Sequence, residues 1–234
     1  MKDLIGKALL DYQTNNNPGK LWAATSISDA DEMELAHLFR DFGQMPIIEQ
    51  KAIELARGKV LDVGCGSGSH SLELQRRGLD VTAIDQSENA VKVARMRGVQ
   101  SVRCEALQQH KGQYDTLLLL MNGTGICGRY DALPAFMQNL RNLLTSNGQV
   151  LIDSSDLIYM FDEDPDGGKW IPCGGYYGEL EFYVSYKGEE EDPFPWLYLD
   201  FTTLSNAAAD AGFTSEIVAE GENFDYLARL IRRD

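Results

Sequence analysis

The stretch that decides the fold is V-L-D-V-G-C-G-S-G at residues 60–68. Its first four residues are typical of a short buried strand, and Gly64, Gly66 and Gly68 follow at alternate positions. Glycine carries no Cβ, so a bound ligand can approach the backbone closely at these positions. The helix that begins after the third glycine offers unpaired N–H groups to an anionic group. The pattern therefore predicts a strand–turn–helix unit that holds a ligand at its turn.

Strand-like and helical segments alternate on the C-terminal side of this unit. Helical periodicity covers residues 87–97, 133–144 and 202–211, and Asn147-Gly148 is predicted to end the second of these helices. The further predicted strands are residues 81–84, 99–103, 116–121, 150–152, 214–219 and 226–231. This alternation predicts an α/β fold built on a doubly wound, mostly parallel, seven-stranded sheet.

The whole chain of 234 residues is predicted to form a single domain, because one core can grow to roughly 250 residues before it splits. Residues 1–57 are predicted to be an N-terminal helical cap, and residues 58–153 the ligand-binding core. Residues 154–199 are rich in proline, glycine and aromatic residues, and are predicted to be a lid with an inserted β-hairpin. Residues 200–234 supply a C-terminal helix and two strands.

The charge of the chain restricts its partners. With a net charge of −15 and no cluster of lysine and arginine, the chain is not expected to bind nucleic acid or anionic membranes. The N-terminal residues lack the apolar stretch of a signal peptide, so a cytoplasmic location is expected. The four cysteines are widely spaced without a C-x-x-C pair, which argues against a zinc site or a disulfide framework.

The glycine spacing and two acidic residues identify a family resemblance. The pattern is G-x-G-x-G with Asp62 two residues before the first glycine, whereas dinucleotide-binding proteins favour G-x-G-x-x-G. The next strand ends in Asp85, about twenty positions after Gly64, where a carboxylate can accept hydrogen bonds from both ribose hydroxyls. The segment resembles motif I of the class I S-adenosylmethionine-dependent methyltransferases, which have a Rossmann-like fold.

The resemblance continues through the third and fourth strands. Glu105 and Ala106 follow the third strand, where these methyltransferases usually have an acidic residue near the adenine amino group, although aspartate is commoner there than glutamate. Tyr114-Asp115 opens the fourth strand and is similar to the family's central Y-D segment. The strand leaves the sheet at Asn122-Gly123, a position that lies beside the sulfonium and the acceptor in the family.

The resemblance implies that the cofactor is S-adenosylmethionine and that the chain transfers its methyl group to an acceptor. The aromatic, proline-rich lid favours a small organic acceptor. No catalytic residue is assigned, because a sulfonium methyl group is already electrophilic and a general base is needed only for some nucleophiles. The implied cofactor-binding residues are Asp62, Gly64, Cys65, Gly66, Gly68, Asp85, Gln86, Glu105, Ala106, Asn122 and Gly123. Candidates for the acceptor site are Tyr12, Tyr176, Tyr177 and Trp196.

Two alternatives from other functional classes stay open at this point. The chain could bind S-adenosylmethionine or a related nucleoside as a sensor, without turning it over. It could also be an NAD(P)-dependent oxidoreductase, because Tyr183 and Lys187 form the Y-x-x-x-K pair of short-chain dehydrogenases. That chemistry needs a helix, and this segment alternates like a strand, which would separate the two residues by about 13 Å.

Histidines and acidic residues are not expected to form a metal site. The three histidines are scattered along the chain, and His70 is predicted to lie on a helix surface. The run D-x-D-x-D-G at residues 162–167 begins like a calcium-binding loop, but its twelfth position is Cys173 and not a bidentate glutamate.

Overall fold

The computed structural model describes residues 2–164, 166, 168–171 and 174–233. Its α-helices are α1 (Leu4–Thr14), α2 (Leu35–Leu38), α3 (Ile47–Leu55), α4 (Ser69–Arg76), α5 (Glu88–Arg97), α6 (Leu133–Asn142) and α7 (Phe201–Asp210). Its strands are β1 (Leu21–Thr25), β2 (Ser28–Glu32), β3 (Lys59–Val63), β4 (Asp80–Asp85), β5 (Val102–Cys104), β6 (Tyr114–Leu119), β7 (Leu144–Ser155), β8 (Glu179–Tyr186), β9 (Glu189–Glu190), β10 (Phe194–Leu197), β11 (Phe213–Glu220) and β12 (Asp225–Arg232).

The larger sheet confirms the predicted seven-stranded, mostly parallel arrangement. Its order is β11-β12-β7-β6-β3-β4-β5, and β12 is antiparallel to both of its neighbours. The chain runs from β3 outward through β4 to β5 and then returns to β6, on the other side of β3. Ligands of such sheets bind in the crevice beyond the carboxyl ends of the strands where the order reverses. The site is therefore expected beyond β3 and β6.

Helices cover both faces of this sheet and bury alternate residues of its central strands. Leu117 and Leu119 of β6 pack in one cluster with α6 and α7, whereas Leu118 packs in another with α3. All three leucine side chains are fully buried. A strand that is covered on both faces reads as a continuous apolar run, which explains why the sequence marks β6 so clearly.

A second, smaller sheet corrects the interpretation of residues 1–57 as a helical cap. Strands β1 and β2 pair with each other there, and β1 also pairs with β8, for example at Ala23 and Val184. The predicted pairing within residues 154–199 is confirmed by the antiparallel contact of β8 with β10. The result is a five-stranded sheet, ordered β10-β8-β1-β2 with β9 beside β8. Because β1 and β8 are far apart in sequence, local periodicity gave no sign of their pairing.

One predicted helix end is also wrong. Helix α6 ends at Asn142, and Asn147-Gly148 lies within β7 instead of closing the helix. The register of β7 shifts in this region, since Tyr114 pairs with Leu144 but Thr116 pairs with Gln149. A bulge of this kind accommodates the glycine and asparagine inside a strand. None of the helices that the structure describes is long and apolar enough to cross a membrane.

Candidate functional site

The glycine turn joins β3 to α4 at the carboxyl edge of the larger sheet. Gly64, Gly66 and Gly68 have φ angles of +73°, +52° and +84°, all in the left-handed region that favours glycine. A Cβ on Gly68 would lie 2.7 Å from the Cγ2 atom of Val99, so this glycine lets the turn pack against the chain after α5. A Cβ on Gly66 would meet no atom within 4 Å, so the turn is open there.

Asp85, the last residue of β4, is bound directly to this turn. One carboxylate oxygen, Oδ2, accepts a hydrogen bond from the Gly66 backbone at 2.8 Å, and Oδ1 accepts one from the Ser87 backbone at 2.9 Å. Burial raises the pKa of the Asp85 carboxyl, and the hydrogen bonds from Ser87 and Gly66 oppose that shift. Each carboxylate oxygen can accept further hydrogen bonds, so the group can still bind a ligand hydroxyl.

Asp62 and Cys65 lie beside the turn, but both side chains are buried. The Ser71 hydroxyl donates to Asp62 Oδ2 at 2.5 Å, which places this carboxylate beneath the first turn of α4. Burial raises the pKa of Asp62 and also that of the Cys65 thiol. Cys65 packs in an apolar cluster with Ala83 and Val91. A ligand bound at the turn would therefore contact the backbone of Cys65 and not its thiol.

The residues after β4 and β5 meet at the same edge. The Glu105 backbone N–H donates to the Asp85 carbonyl oxygen at 3.0 Å. Gln86 is exposed directly after Asp85, and its carbonyl oxygen lies 3.5 Å from the Cys104 thiol. Ala106, which is half-buried, follows Glu105. The structure therefore brings together the four predicted residues of this part of the site.

The chain after β6 turns sharply at Asn122 and Gly123. Met121 and Asn122 have φ angles of +66° and +61°, an uncommon conformation for residues with a side chain. A Cβ on Gly123 would lie 2.6 Å from Leu119 Cβ, so a larger residue would not fit without movement of β6. Backbone strain of this kind is concentrated at functional sites when the surroundings enforce it.

Asp153, a residue of β7 that the sequence did not single out, enforces this turn. Its Oδ1 accepts a hydrogen bond from the Gly123 backbone at 2.7 Å, and its Oδ2 accepts one from Met121 at 3.0 Å. Burial raises the pKa of Asp153 to about 6. A lone aspartate near the end of an apolar strand was the available signal, because such a group is rarely buried without partners.

The Asp153 carboxyl is expected to titrate near pH 6 in the folded protein. We expect carbon NMR of the side-chain carboxyl to give that midpoint, well above its usual pKa of 3.8. Because the fold holds this proton more tightly than the unfolded chain, the contribution to stability is complete below pH 3.8 and is lost as the pH rises through about 6. The variant Asp153→Asn should lack this dependence, and a wild-type midpoint near pH 4 would contradict it.

Of the four aromatic candidates for the acceptor site, two contact each other and the other two lie at separate places. The Tyr176 hydroxyl donates to Asp200 at 2.6 Å, the Tyr177 hydroxyl donates to Asp156 at 2.7 Å, and the two rings are 4.7 Å apart. These tyrosines lie where the chain leaves β7 and enters α7. Trp196 instead packs against Gly125, and Tyr12 packs against Phe39 with a ring separation of 4.7 Å.

The prediction that His70 lies on a helix surface is wrong. His70 is buried, and its Nε2 atom is 2.8 Å from Glu49 Oε2. Arg40, also buried, forms two hydrogen bonds with the same carboxylate. The three residues connect the N-terminal segment to α4, and no spacing rule in the sequence associates them. Within the described ranges no metal-binding group is found, while Gly167 and Cys173 of the calcium-like run lie outside them.

Comparisons with known proteins assign this arrangement to a family. Residues 60–148 match the family model described as a methyltransferase domain. A ubiquinone biosynthesis O-methyltransferase from Xylella fastidiosa is 49% identical over 51 residues, which are 22% of this chain and 21% of that protein. A protein of the same name from Bordetella avium is 40% identical over 77 residues, which are 29% and 32% of the two chains. The matches therefore span about a fifth to a third of these curated relatives.

Solved structures match over most of this chain. The crystal structure of an S-adenosylmethionine-dependent methyltransferase from Bacteroides fragilis, in complex with S-adenosylhomocysteine, is 44% identical with a TM-score of 0.90. The alignment covers 99% of this chain and 96% of that one. The CcbJ methyltransferase from Streptomyces caelestis, 15% identical with a TM-score of 0.63 over 86% and 97% of the two chains, shares the fold. The chain belongs to the class I S-adenosylmethionine-dependent methyltransferases.

Proposed function

We propose that this chain transfers the methyl group of S-adenosylmethionine to a small organic acceptor, with the cofactor held between the glycine turn and the ends of β4, β5 and β6. The observation that carries this assignment is the hydrogen bond between Asp85 and Gly66 at the point where the strand order reverses. It joins a carboxylate suited to ribose hydroxyls to a turn suited to close approach.

The residues at this edge fit the parts of the cofactor. The open space at Gly66 and the first N–H groups of α4 suit the methionine part, with Gly64, Cys65 and Gly68 shaping the turn. Asp85 suits the ribose, and Gln86, Glu105 and Ala106 suit the adenine. Because the Asp62 carboxylate is covered by Ser71, it is proposed to act on the ammonium group of the cofactor's methionine part indirectly, by fixing the start of α4.

The proposed chemistry asks little of the protein beyond positioning. S-adenosylmethionine supplies an activated methyl group, and transfer needs the acceptor atom to be held in line at short distance. Asn122 and Gly123, fixed by Asp153, are proposed to line the place where the acceptor meets the cofactor. The lid between β7 and α7, with Tyr176 and Tyr177, is proposed to orient the acceptor and to exclude water.

The size of the acceptor is inferred from this lid and from related proteins. The rings of Tyr176 and Tyr177 lie 4.7 Å apart, and their hydroxyl groups bind Asp200, just before α7, and Asp156, just after β7. Curated relatives are named for ubiquinone biosynthesis, and fold neighbours include an amino pentose methyltransferase and a 1,6-didemethyltoxoflavin N1-methyltransferase. All of these names point to small organic acceptors.

The alternative of an oxidoreductase loses its structural basis. Tyr183 lies on β8 in the smaller sheet and Lys187 follows the end of that strand, so the pair does not occupy one turn of a helix.

We also infer that the chain forms one domain, with the smaller sheet packed onto the cofactor-binding core, and that it acts in the cytoplasm. Three of its cysteines, Cys65, Cys104 and Cys127, are free thiols, which agrees with a reducing compartment.

The test is a calorimetric titration of the purified protein with S-adenosylmethionine, S-adenosylhomocysteine and NAD. We expect binding of both sulfur nucleosides at roughly micromolar dissociation constants, about −8 kcal/mol, and no binding of NAD. A panel of small phenols, amines and thiols is then screened for formation of S-adenosylhomocysteine. Binding of NAD in place of the sulfur nucleosides would overturn the assignment, whereas binding without turnover of any acceptor would favour the sensor.

Two glycine substitutions in the same turn are expected to have different consequences. Gly66→Ala adds a Cβ where the cofactor is proposed to lie, so it should weaken S-adenosylhomocysteine binding at least about tenfold. Its cost in stability should be only about 1–2 kcal/mol, the penalty for a left-handed alanine. Gly68→Ala places its Cβ 2.7 Å from Val99 and should lose about 2–4 kcal/mol of stability. Calorimetry and urea unfolding separate the two effects, and equal losses of stability would contradict this distinction.

A further inference from the structure

A buried chain of hydrogen bonds leads from the core of the protein to Glu105. His110 Nδ1 lies 2.6 Å from Glu105 Oε1, and His110 Nε2 lies 2.7 Å from the Tyr114 hydroxyl. The His110 side chain has no exposed surface, whereas the Glu105 side chain is 23% exposed. This series of hydrogen bonds therefore runs from Tyr114, the first residue of β6, to Glu105 at the edge where the cofactor is proposed to bind.

The direction of these hydrogen bonds follows from burial. Tyr114 is 2% exposed, and among the described residues its hydroxyl hydrogen has one acceptor within reach, His110 Nε2. Buried hydroxyl groups satisfy their hydrogen, so Tyr114 donates to Nε2. The imidazole then carries its own hydrogen on Nδ1 and donates it to Glu105.

The local backbone holds the imidazole beneath the carboxylate. A short turn brings the chain back, because the His110 N–H donates to the Leu107 carbonyl oxygen at 3.2 Å and the Gln109 N–H donates to that of Ala106 at 3.0 Å. The Nε2 side of the imidazole is fixed by Tyr114, whose ring packs in the main apolar cluster of the sheet. A donor fixed at both ends holds the rotamer of Glu105 more firmly than a solvent-exposed partner would.

We propose that His110 is a positioning residue that, together with Tyr114, aligns Glu105 so that the site selects a purine with an amino group at position 6. This inference rests on the proposed placement of the adenine beside Glu105. In the described part of the chain, the partners of Glu105 contact Oε1, including Arg103 at 3.9 Å, and Oε2 is left to accept from the base. A purine with oxygen at position 6 would instead place an acceptor against this carboxylate.

The selectivity is measured by comparing two probes, S-adenosylhomocysteine and its deaminated analogue S-inosylhomocysteine. The wild-type protein is expected to bind S-adenosylhomocysteine about 100-fold more tightly. This ratio combines the hydrogen bond from its amino group to the Glu105 carboxylate with the repulsion between that carboxylate and the oxygen of the deaminated analogue. In His110→Leu this ratio should fall to about tenfold or less. In Tyr114→Phe, which keeps the aromatic ring, it should fall about threefold.

Two further variants control for structure. His110→Asn keeps a donor at the position of Nδ1 and should restore most of the ratio, while the neighbouring exposed Gln109→Leu should leave it unchanged. A ratio unchanged in both His110→Leu and Tyr114→Phe, with equal weakening of both probes, would show a merely structural role and overturn the inference. If the wild type binds S-adenosylhomocysteine without selectivity, the inference fails and the proposed function stands; if it binds neither probe, both fail.

Discussion

Asp85→Ala is expected to weaken the binding of S-adenosylhomocysteine by a factor of about 100 to 10,000, the largest effect on affinity of any single substitution in the site. Hydrogen bonds to a charged group contribute about 1.5–3 kcal/mol each, and this carboxylate is proposed to accept two from the ribose. The substitution also removes the acceptor that holds the Gly66 N–H at 2.8 Å, so the turn itself loses an anchor. Calorimetric titration measures the change.

The same strand supplies a matched control. Asp80 begins β4 and is exposed at the opposite end of the strand from Asp85. Asp80→Ala removes the same chemical group from the same strand and should leave the affinity unchanged. Asp85→Asn, which keeps one acceptor oxygen, should fall between the wild type and Asp85→Ala. Equal affinities of the Asp80 and Asp85 alanine variants, with both proteins folded, would rule out the proposed ribose contact.

The part of the site formed by contiguous segments was predictable from sequence. The glycine turn and Asp85 each occupy a fixed place relative to a strand end, and parallel strands bring their ends to one edge. The periodicity of residues 59–85 therefore determines both the local structure and the meeting of Gly66 with Asp85. Glu105 was placed beside them by the family resemblance, and the parallel pairing of β5 with β4 brings it to the same edge.

The remaining features depend on contacts between distant segments. The pairing of β1 with β8 joins residues more than 150 positions apart. The alternation of β8 predicts a strand, but it does not indicate the partner of that strand, and β1 has only five residues. The position of Asp153 in an apolar strand was a signal in the sequence, but its partners, the backbone N–H groups of Met121 and Gly123, are known only from the structure. A side chain's burial and partners follow from packing, for which one sequence gives no spacing rule.

Arg40→Met is expected to lose about 3–5 kcal/mol of stability, the usual result of leaving one charge of a buried pair without its partner. Arg40 and Glu49 are each 4% exposed, and the Arg40 Nε atom is 3.2 Å from Glu49 Oε2. Arg129, whose ion pairs with Glu179 and Glu181 are on the surface, is the matched control. Arg129→Met should leave the urea midpoint nearly unchanged, because solvent and salt screen exposed pairs.

The buried pair can also be tested by removing both of its charges. The double variant Arg40→Met with Glu49→Met should be more stable than Arg40→Met alone, because no buried carboxylate is left without its arginine. If the double variant is instead less stable by the sum of the two single losses, the charges act independently.

The stability gap between the wild type and Arg40→Met is expected to close in acid. Burial would raise the pKa of Glu49, but the hydrogen bond and charge of His70 and the charge of Arg40 outweigh it, so the pKa lies below its usual 4.5. The ionised carboxylate therefore stabilises the fold above pH 4.5, and that contribution is lost as the pH falls through the lower value of the folded protein. In Arg40→Met, Glu49 keeps only His70 as a partner and takes up its proton at a higher pH, which relieves the buried charge. Urea unfolding at pH 7 and at pH 4 should thus give a larger difference at pH 7, and a difference that grows in acid would show that Glu49 is not the group left uncompensated.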